Sequence, residues 1–388
     1  MSVTRPAGFL AAGMASGVKP GGAADLALVA AASGAVAAAA TFTSNKACAA
    51  PVTVSRRHLA ATRGHAAAVV LNSGCANAAT GAAGLAAAEQ MAAAVARPLG
   101  AAAVEVLVCS TGLIGYPLPI DVIAAAAPAL VARRGGSAAD ATAAATAILT
   151  TDTHPKQVTR EGAKFRVGGM AKGAGMIAPR MATMLAVLTT DAAATPEVLD
   201  AALRRAVDRS FNALIVDGCT STNDTVVLLA SGKAGQVDAA ELAATLADAC
   251  ADLAHQLAED SEGTTRVAEI RVLGAANEAD ARLAARAVAG SLLVKVSLFG
   301  ADPYWGRIVS ELGASGAAFE PDRVRVAYGA TTVVEAGVGV AHDRAAVATH
   351  LAGRDVEISC DLGLGDGTAA VLTTDLGHGY IDENMATS

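Results

Sequence analysis

The feature that most constrains the fold of this chain is the order of its branched-residue runs, because strand-like segments in places follow one another with no helix between them. Such runs occupy residues 67–71, 104–109, 184–189, 213–216 and 225–229, then 267–272, 293–298, 324–328, 331–336, 356–360 and 369–374. Helix-like segments at 85–96, 121–132, 139–147, 196–207, 239–257 and 278–288 lie among them. The one at 196–207 has the sharpest start, since Thr195 can cap it, Pro196 suits the first helical position and Glu197 favours the positive end. Strict strand–helix alternation, which a doubly wound parallel sheet requires, fails after Val324. The expected class is a layered α+β protein.

Length and composition set the scale of the interior. A chain of 388 residues exceeds the size at which one core usually stops growing, so two lobes or one large layered body are expected. With 53% hydrophobic but only 3% aromatic residues, Ala, Val and Leu must fill the core, and small side chains let elements approach closely. The formal charge of −7 is spread without a block of either sign, which argues against a polyanion-binding surface and against nucleic acid as a partner. The six cysteines (48, 75, 109, 219, 250, 360) lie far apart, with no C-x-x-C pair and no His at ligand spacing, so neither a metal site nor a disulfide framework is suggested. A reducing cytoplasm fits. Residues 1–13 lack the cationic lead and apolar core of a signal peptide, and the Ala-rich stretch 26–42 is too short and too weakly apolar to span a membrane, so burial is expected there.

The densest glycine segment runs from Gly168 to Pro179. Its glycines allow the backbone to turn where no Cβ could fit. As a dinucleotide fingerprint, Gly173-x-Gly175-x-x-Ala178 follows the strand-like 165–167, but Pro179 would interrupt the helix that should receive the pyrophosphate. As a phosphate loop it lacks the Gly-Lys-Ser/Thr ending. A third reading makes it a tight approach to the bond between Ala182 and Thr183, where strain would help a hydroxyl attack the preceding carbonyl. A threonine that becomes N-terminal gains an amine with a reference pKa of about 7.7–8.0, which can take the proton of its own hydroxyl. A Thr opening a strand is otherwise simply a good β-former.

Two further polar runs stand out. Cys109-Ser110-Thr111-Gly112 leaves a strand-like run and offers a hydroxyl and a backbone N–H, the donors an oxyanion needs, although a polar turn would look the same. Residues 217–225 are too polar for strand and could supply ligands or a hydrogen-bonded turn. None of the seven histidines falls in a nucleophile–His–Asp or H-E-x-x-H pattern, which favours a reaction whose base is not His.

Taken in order, these runs resemble the ornithine acetyltransferase (glutamate N-acetyltransferase) family of arginine biosynthesis over essentially the whole chain. The runs that carry the likeness include Asn72-Ser73-Gly74-Cys75-Ala76-Asn77, Ser110-Thr111-Gly112, Thr150-Thr151-Asp152, the block 172–185, Ser221-Thr222-Asn223-Asp224, Glu262-Gly263 and Asp302-Pro303-Tyr304-Trp305-Gly306-Arg307. The resemblance implies a layered αββα fold and self-cleavage between Ala182 and Thr183, so that residues 1–182 and 183–388 become two fragments of one folded unit, two of each per assembly. It implies Thr183 as nucleophile, Thr111 and Gly112 as the oxyanion hole, and Thr150, Lys172, Thr183, Glu262, Asn384 and Ser388 as substrate contacts. The implied substrates are N-acetylornithine and glutamate, with no coenzyme consumed. Coenzyme A-dependent acetylation of glutamate, an N-terminal-threonine amidohydrolase, and a natural-product acetyltransferase are the alternatives. The sequence departs from the family pattern at Tyr304 (usually Asn), Arg266 (Lys), Val296 (Thr), Cys75 and Cys219 (commonly polar) and at the C-terminus, which lacks the usual aromatic.

Overall fold

A computed structural model describes residues 2–178 and 184–385. In chain order the elements are β1 (Phe9–Met14), β2 (Leu26–Ala31), β3 (Val36–Phe42), α1 (Ala50–Ala61), β4 (His65–Ala66), β5 (Ala68–Cys75), α2 (Gly81–Leu99) and β6 (Val106–Leu113). There follow α3 (Ile120–Arg133), α4 (Ala138–Ala147), β7 (Lys156–Glu161), β8 (Arg166–Lys172), β9 (Leu185–Ala193), α5 (Pro196–Asp208), β10 (Leu214–Ile215), β11 (Thr225–Gln236) and α6 (Ala239–Glu259). The remainder is β12 (Val267–Ala275), α7 (Glu278–Gly290), α8 (Leu292–Phe299), α9 (Gly306–Ala314), β13 (Arg325–Tyr328), β14 (Thr331–Glu335), β15 (Val338–Gly339), α10 (Arg344–Ala352), β16 (Asp355–Asp361), β17 (Gly367–Thr374) and α11 (His378–Met385). The protein is α+β.

The chain divides into two compact units, residues 1–212 with 219–257, and residues 213–218 with 258–388. The first holds a four-stranded sheet, β1-β2-β5-β6, and a six-stranded sheet, β4-β3-β11-β9-β8-β7. Strand alternation explains how they stack. On β2, Ala27, Val29 and Ala31 join Val69, Leu71 and Leu107 in a core shared with Ala38, Ala40, Leu185, Val187, Val227 and Leu229 of the other sheet. The intervening residues Leu26, Leu28 and Ala30 face the other way, into a layer with Met91 and Val95 of α2 and Ile123 and Leu130 of α3. The Ala-rich stretch expected only to be buried is thus two strands, β2 and β3, which enter different sheets.

The glycine-rich segment departs from the expectation of a turn. Gly168 and Gly169 lie inside β8, paired with Thr189 and Leu188 of β9. They are needed for close approach: a Cβ at Gly168 would overlap the Ser2 backbone, and one at Gly169 would sit 2.7 Å from a Leu188 methyl. Only beyond Lys172 does the chain leave the sheet.

The second unit is built on a seven-stranded sheet, β10-β17-β12-β16-β13-β14-β15. Its core joins Ile270, Val272, Ile358 and Val326 to Ala281, Ala284, Ala285 and Val288 of α7. The strand expected at 293–298 is instead helix α8. Short branched runs fit either form, and here capping and burial decide. Ser291 accepts the Val294 amide, and only Val294, Lys295, Ser297 and Leu298 are buried, at helical spacing. Leu292 and Leu293 face outward, 65% and 59% exposed. No helix among the described residues is long and apolar enough to cross a membrane.

Candidate active site

Thr111 and Gly112 sit near the end of β6, whose parallel pairing with β5 sets Ser73 opposite Thr111 and Gly74 opposite Gly112. The ladder slips at Gly74 and Cys75, and Gly112 has φ of 127°. A Cβ at Gly112 would lie 2.6 Å from the Cys75 nitrogen, so only glycine permits this approach of the two backbones. The run 221–224 braces the same place from another element, because Asn223 Nδ2 donates to the Ser110 carbonyl at 2.9 Å and to the Ala76 carbonyl at 2.6 Å.

Lys172 closes β8, in register with Leu185 of β9, and its fully buried side chain reaches the other sheet. Its Nζ donates to Thr111 Oγ1 at 3.4 Å and lies 3.7 Å from Asp152 Oδ2. Asp152 is the hub. Its Oδ1 accepts Lys156 Nζ at 2.6 Å and the Gly173 amide at 2.7 Å, and its Oδ2 accepts the Thr150 amide at 3.0 Å. Burial pushes the Asp152 carboxyl up, but the Lys172 and Lys156 charges, the Lys156 hydrogen bond and the Gly173 amide overcome it and hold the group well below the usual carboxylate range. A third lysine approaches from the N-terminal loop: Lys19 Nζ donates to the carbonyls of Leu149 and Ala24. Burial lowers its pKa, Asp25 opposes that, and Lys172 adds to it. Ammonium groups therefore outnumber carboxylates around Asp152, a setting that favours an anionic substrate group.

Thr150, Thr111, Gly112 and Lys172 are thus brought together in the first unit. Ala182 and Thr183 lie outside the described residues, as does Ser388. The residue following Thr183 is placed: the Met184 amide donates to Asp224 Oδ1 at 3.1 Å. Glu262 and Asn384 belong to the second unit, where Asn384 Nδ2 donates to Glu262 Oε2 at 2.9 Å and to the Tyr380 carbonyl. Tyr380 in turn donates its hydroxyl to Asp217 Oδ2 at 3.2 Å, which ties α11 to the loop after β10.

The family departures in this unit take surface or bridging positions. Tyr304 is 59% exposed, with the Arg307 guanidinium over its ring at 5.8 Å, and Val296 is on the outer side of α8. Arg266 donates to the carbonyls of Leu351 and Phe299.

The dinucleotide reading fails, because residues 173–178 start no helix. His58, the one buried histidine among the described residues, is held between the Val106 carbonyl and Glu89, a bracing contact between helices and β6. Sequence reasoning missed Lys156 and the hub role of Asp152, and it left Asp224 inside an undecided polar run. A carboxylate four residues before a lysine at a loop-to-strand junction was the available signal for the first pair. An acidic residue immediately before an apolar strand was the signal for Asp224.

Comparison with known proteins agrees with the residue pattern. The arginine biosynthesis bifunctional protein ArgJ of Mycolicibacterium paratuberculosis is 49% identical over 393 residues, covering 100% of this chain and 96% of that protein. The protein of the same name from Thermobifida fusca is 49% identical over 100% of both chains. Among solved structures, ornithine acetyltransferase complexed with ornithine from Mycobacterium tuberculosis is 49% identical, covering 46% of this chain and 94% of that one, with a TM-score of 0.44. The model of the ArgJ family matches residues 10–387, and with full-length relatives at this identity the chain belongs to the ArgJ family.

Proposed function

We propose that this protein is an acetyltransferase of arginine biosynthesis that cuts itself between Ala182 and Thr183. Thr183 then carries the acetyl group of N-acetylornithine to glutamate. The observation that carries the reading is Lys172: it pairs in register with Leu185, two residues beyond Thr183, while its ammonium reaches Thr111 of the facing sheet. One buried side chain therefore links the β8–β9 pair to β6.

In this reading the freed Thr183 amine takes the hydroxyl proton and Oγ attacks the acetyl carbonyl. The Thr111 hydroxyl and Gly112 N–H hold the oxyanion, one such donor being worth roughly 3 kcal/mol of barrier. Collapse expels ornithine, whose amine takes the proton from the Thr183 ammonium, and leaves an acetyl ester on Thr183. The glutamate amine attacks that ester by the reverse sequence and departs as N-acetylglutamate, restoring the Thr183 hydroxyl. Thr150, Lys172, Glu262, Asn384 and Ser388 are the substrate contacts, with the ammonium excess around Asp152 suited to an amino-acid carboxylate. Fragments 1–182 and 183–388 would remain interleaved, since β8 pairs with β9 and β3 with β11, and we assign two of each to the assembly.

The name bifunctional borne by the relatives favours a second reading of the same site, in which acetyl-CoA also acetylates Thr183. Purified protein incubated with glutamate and either donor, with N-acetylglutamate measured by mass, tests both. Product with N-acetylornithine is expected, and product with acetyl-CoA alone would overturn the transfer as the principal activity.

A further inference from the structure

We infer that Lys172 acts on the reaction through Thr111, as the charged support of the oxyanion hole, with Asp152 and Lys156 as the positioning pair that holds it there. This inference rests on the reading of Thr111 as an oxyanion donor and gives Lys172 a role that substrate binding alone does not require.

An ammonium only donates, so in the contact between Lys172 Nζ and Thr111 Oγ1 the hydroxyl oxygen is the acceptor. The Thr111 proton is then directed elsewhere and is available to a developing oxyanion. Both side chains are buried, 1% and 2% exposed, so the charge one hydrogen bond behind that hydroxyl is little screened by water. Asp152 keeps the ammonium in place from behind at 3.7 Å without taking all of its charge, because Lys156, wholly buried, occupies Oδ1 at 2.6 Å. Two ammonium groups thus share the Asp152 carboxylate, and the one on Lys172 also donates to Thr111.

A carboxylate-free acetyl ester separates this role from carboxylate binding. Acetylation of Thr183 by 4-nitrophenyl acetate, followed by nitrophenolate release and intact mass, is compared in wild type, Lys172→Met, Thr111→Val and the double variant. Lys172→Met leaves Asp152 paired with Lys156, so the fold is expected to survive. Acetylation by the ester should slow about tenfold or more in Lys172→Met, a fraction of the 10²–10³ lost with an entire oxyanion donor. In the Thr111→Val background the same change should add little, since the two groups act as a unit. Lys172→Arg, which keeps the charge, should recover part of the rate, and Asp152→Asn should lose rate with the ester and with N-acetylornithine in the same proportion.

Unchanged ester acetylation in Lys172→Met with a raised KM for N-acetylornithine would overturn the inference, as would additive losses in the double variant. If Lys172→Met does not mature into two fragments, Lys172→Arg and Asp152→Asn decide by the same readouts. Wild-type protein that forms no acetyl ester would instead refute the proposed function itself.

Discussion

Asp224 Oδ1 accepts the Met184 amide, so the residue that follows the proposed cleavage position is tied to the loop whose Asn223 also holds the Ser110 carbonyl. Asp224 is completely buried, and its Oδ2 has no hydrogen-bond partner among the described residues. Burial pushes its carboxyl well above the carboxylate range, while the Met184 amide, the Ser221 hydroxyl and the Lys172 charge pull the other way. Asp224→Ala would strand the Met184 N–H at a cost of about 1–3 kcal/mol. Its precursor should therefore persist longer on denaturing gels, whereas Asp224→Asn, which keeps an acceptor oxygen, should mature nearly normally. Equal maturation of Asp224→Ala and wild type would show that this contact does not set up the cut.

Intact mass of the purified protein should give two fragments that meet between Ala182 and Thr183. Thr183→Ala removes the proposed attacking hydroxyl and should leave one uncut chain with no acetyl-enzyme. A cleaved Thr183→Ala chain would remove Thr183 from the nucleophile's role.

Gly112→Ala should damage stability and catalysis together. An L-residue at φ of 127° is strained, and the added methyl would press on the Gly74–Cys75 backbone. A loss of about 1–3 kcal/mol is expected for forced overpacking, read as a lower thermal midpoint. Displacement of the Gly112 N–H should also reduce turnover by roughly 10²–10³. A variant that keeps wild-type turnover would exclude Gly112 as an oxyanion donor.

Lys295 should make stability pH-dependent on the alkaline side. Its Nζ, buried in the second unit, donates to the carbonyls of Thr374 and Ile215 and to the Thr374 hydroxyl. Burial lowers its pKa to about 7, opposed by Asp217 and Asp375. The unfolded chain, with a lysine value of about 10.4, then binds the extra proton across the interval from 7 upward. Stability rises with pH wherever the unfolded state holds more protons. The thermal midpoint should therefore gain a rising component between pH 7 and 10 that disappears in Lys295→Met. An identical slope in the variant would show that Lys295 titrates normally.

Local chemistry in the sequence determined much of this protein. The start of α5 is readable from Thr195, which accepts the Val198 amide, and from Pro196 after it, because capping involves only neighbours in the chain. Most core strands announced themselves through branched residues, and the polar run before β11 was recognisable as non-strand. Tertiary structure decided what depends on partners distant in sequence. The run 292–299 became helix because Ser291 caps it and Lys295 finds acceptors about 80 residues away on either side. Gly168 and Gly169 serve a strand because Ser2 and Leu253 press on it from remote segments. The meeting of Thr111 with Lys172 joins residues 61 apart across two sheets, and Asp152 supports it from a loop. Such contacts are fixed by the stacking of sheets, which no local pattern encodes.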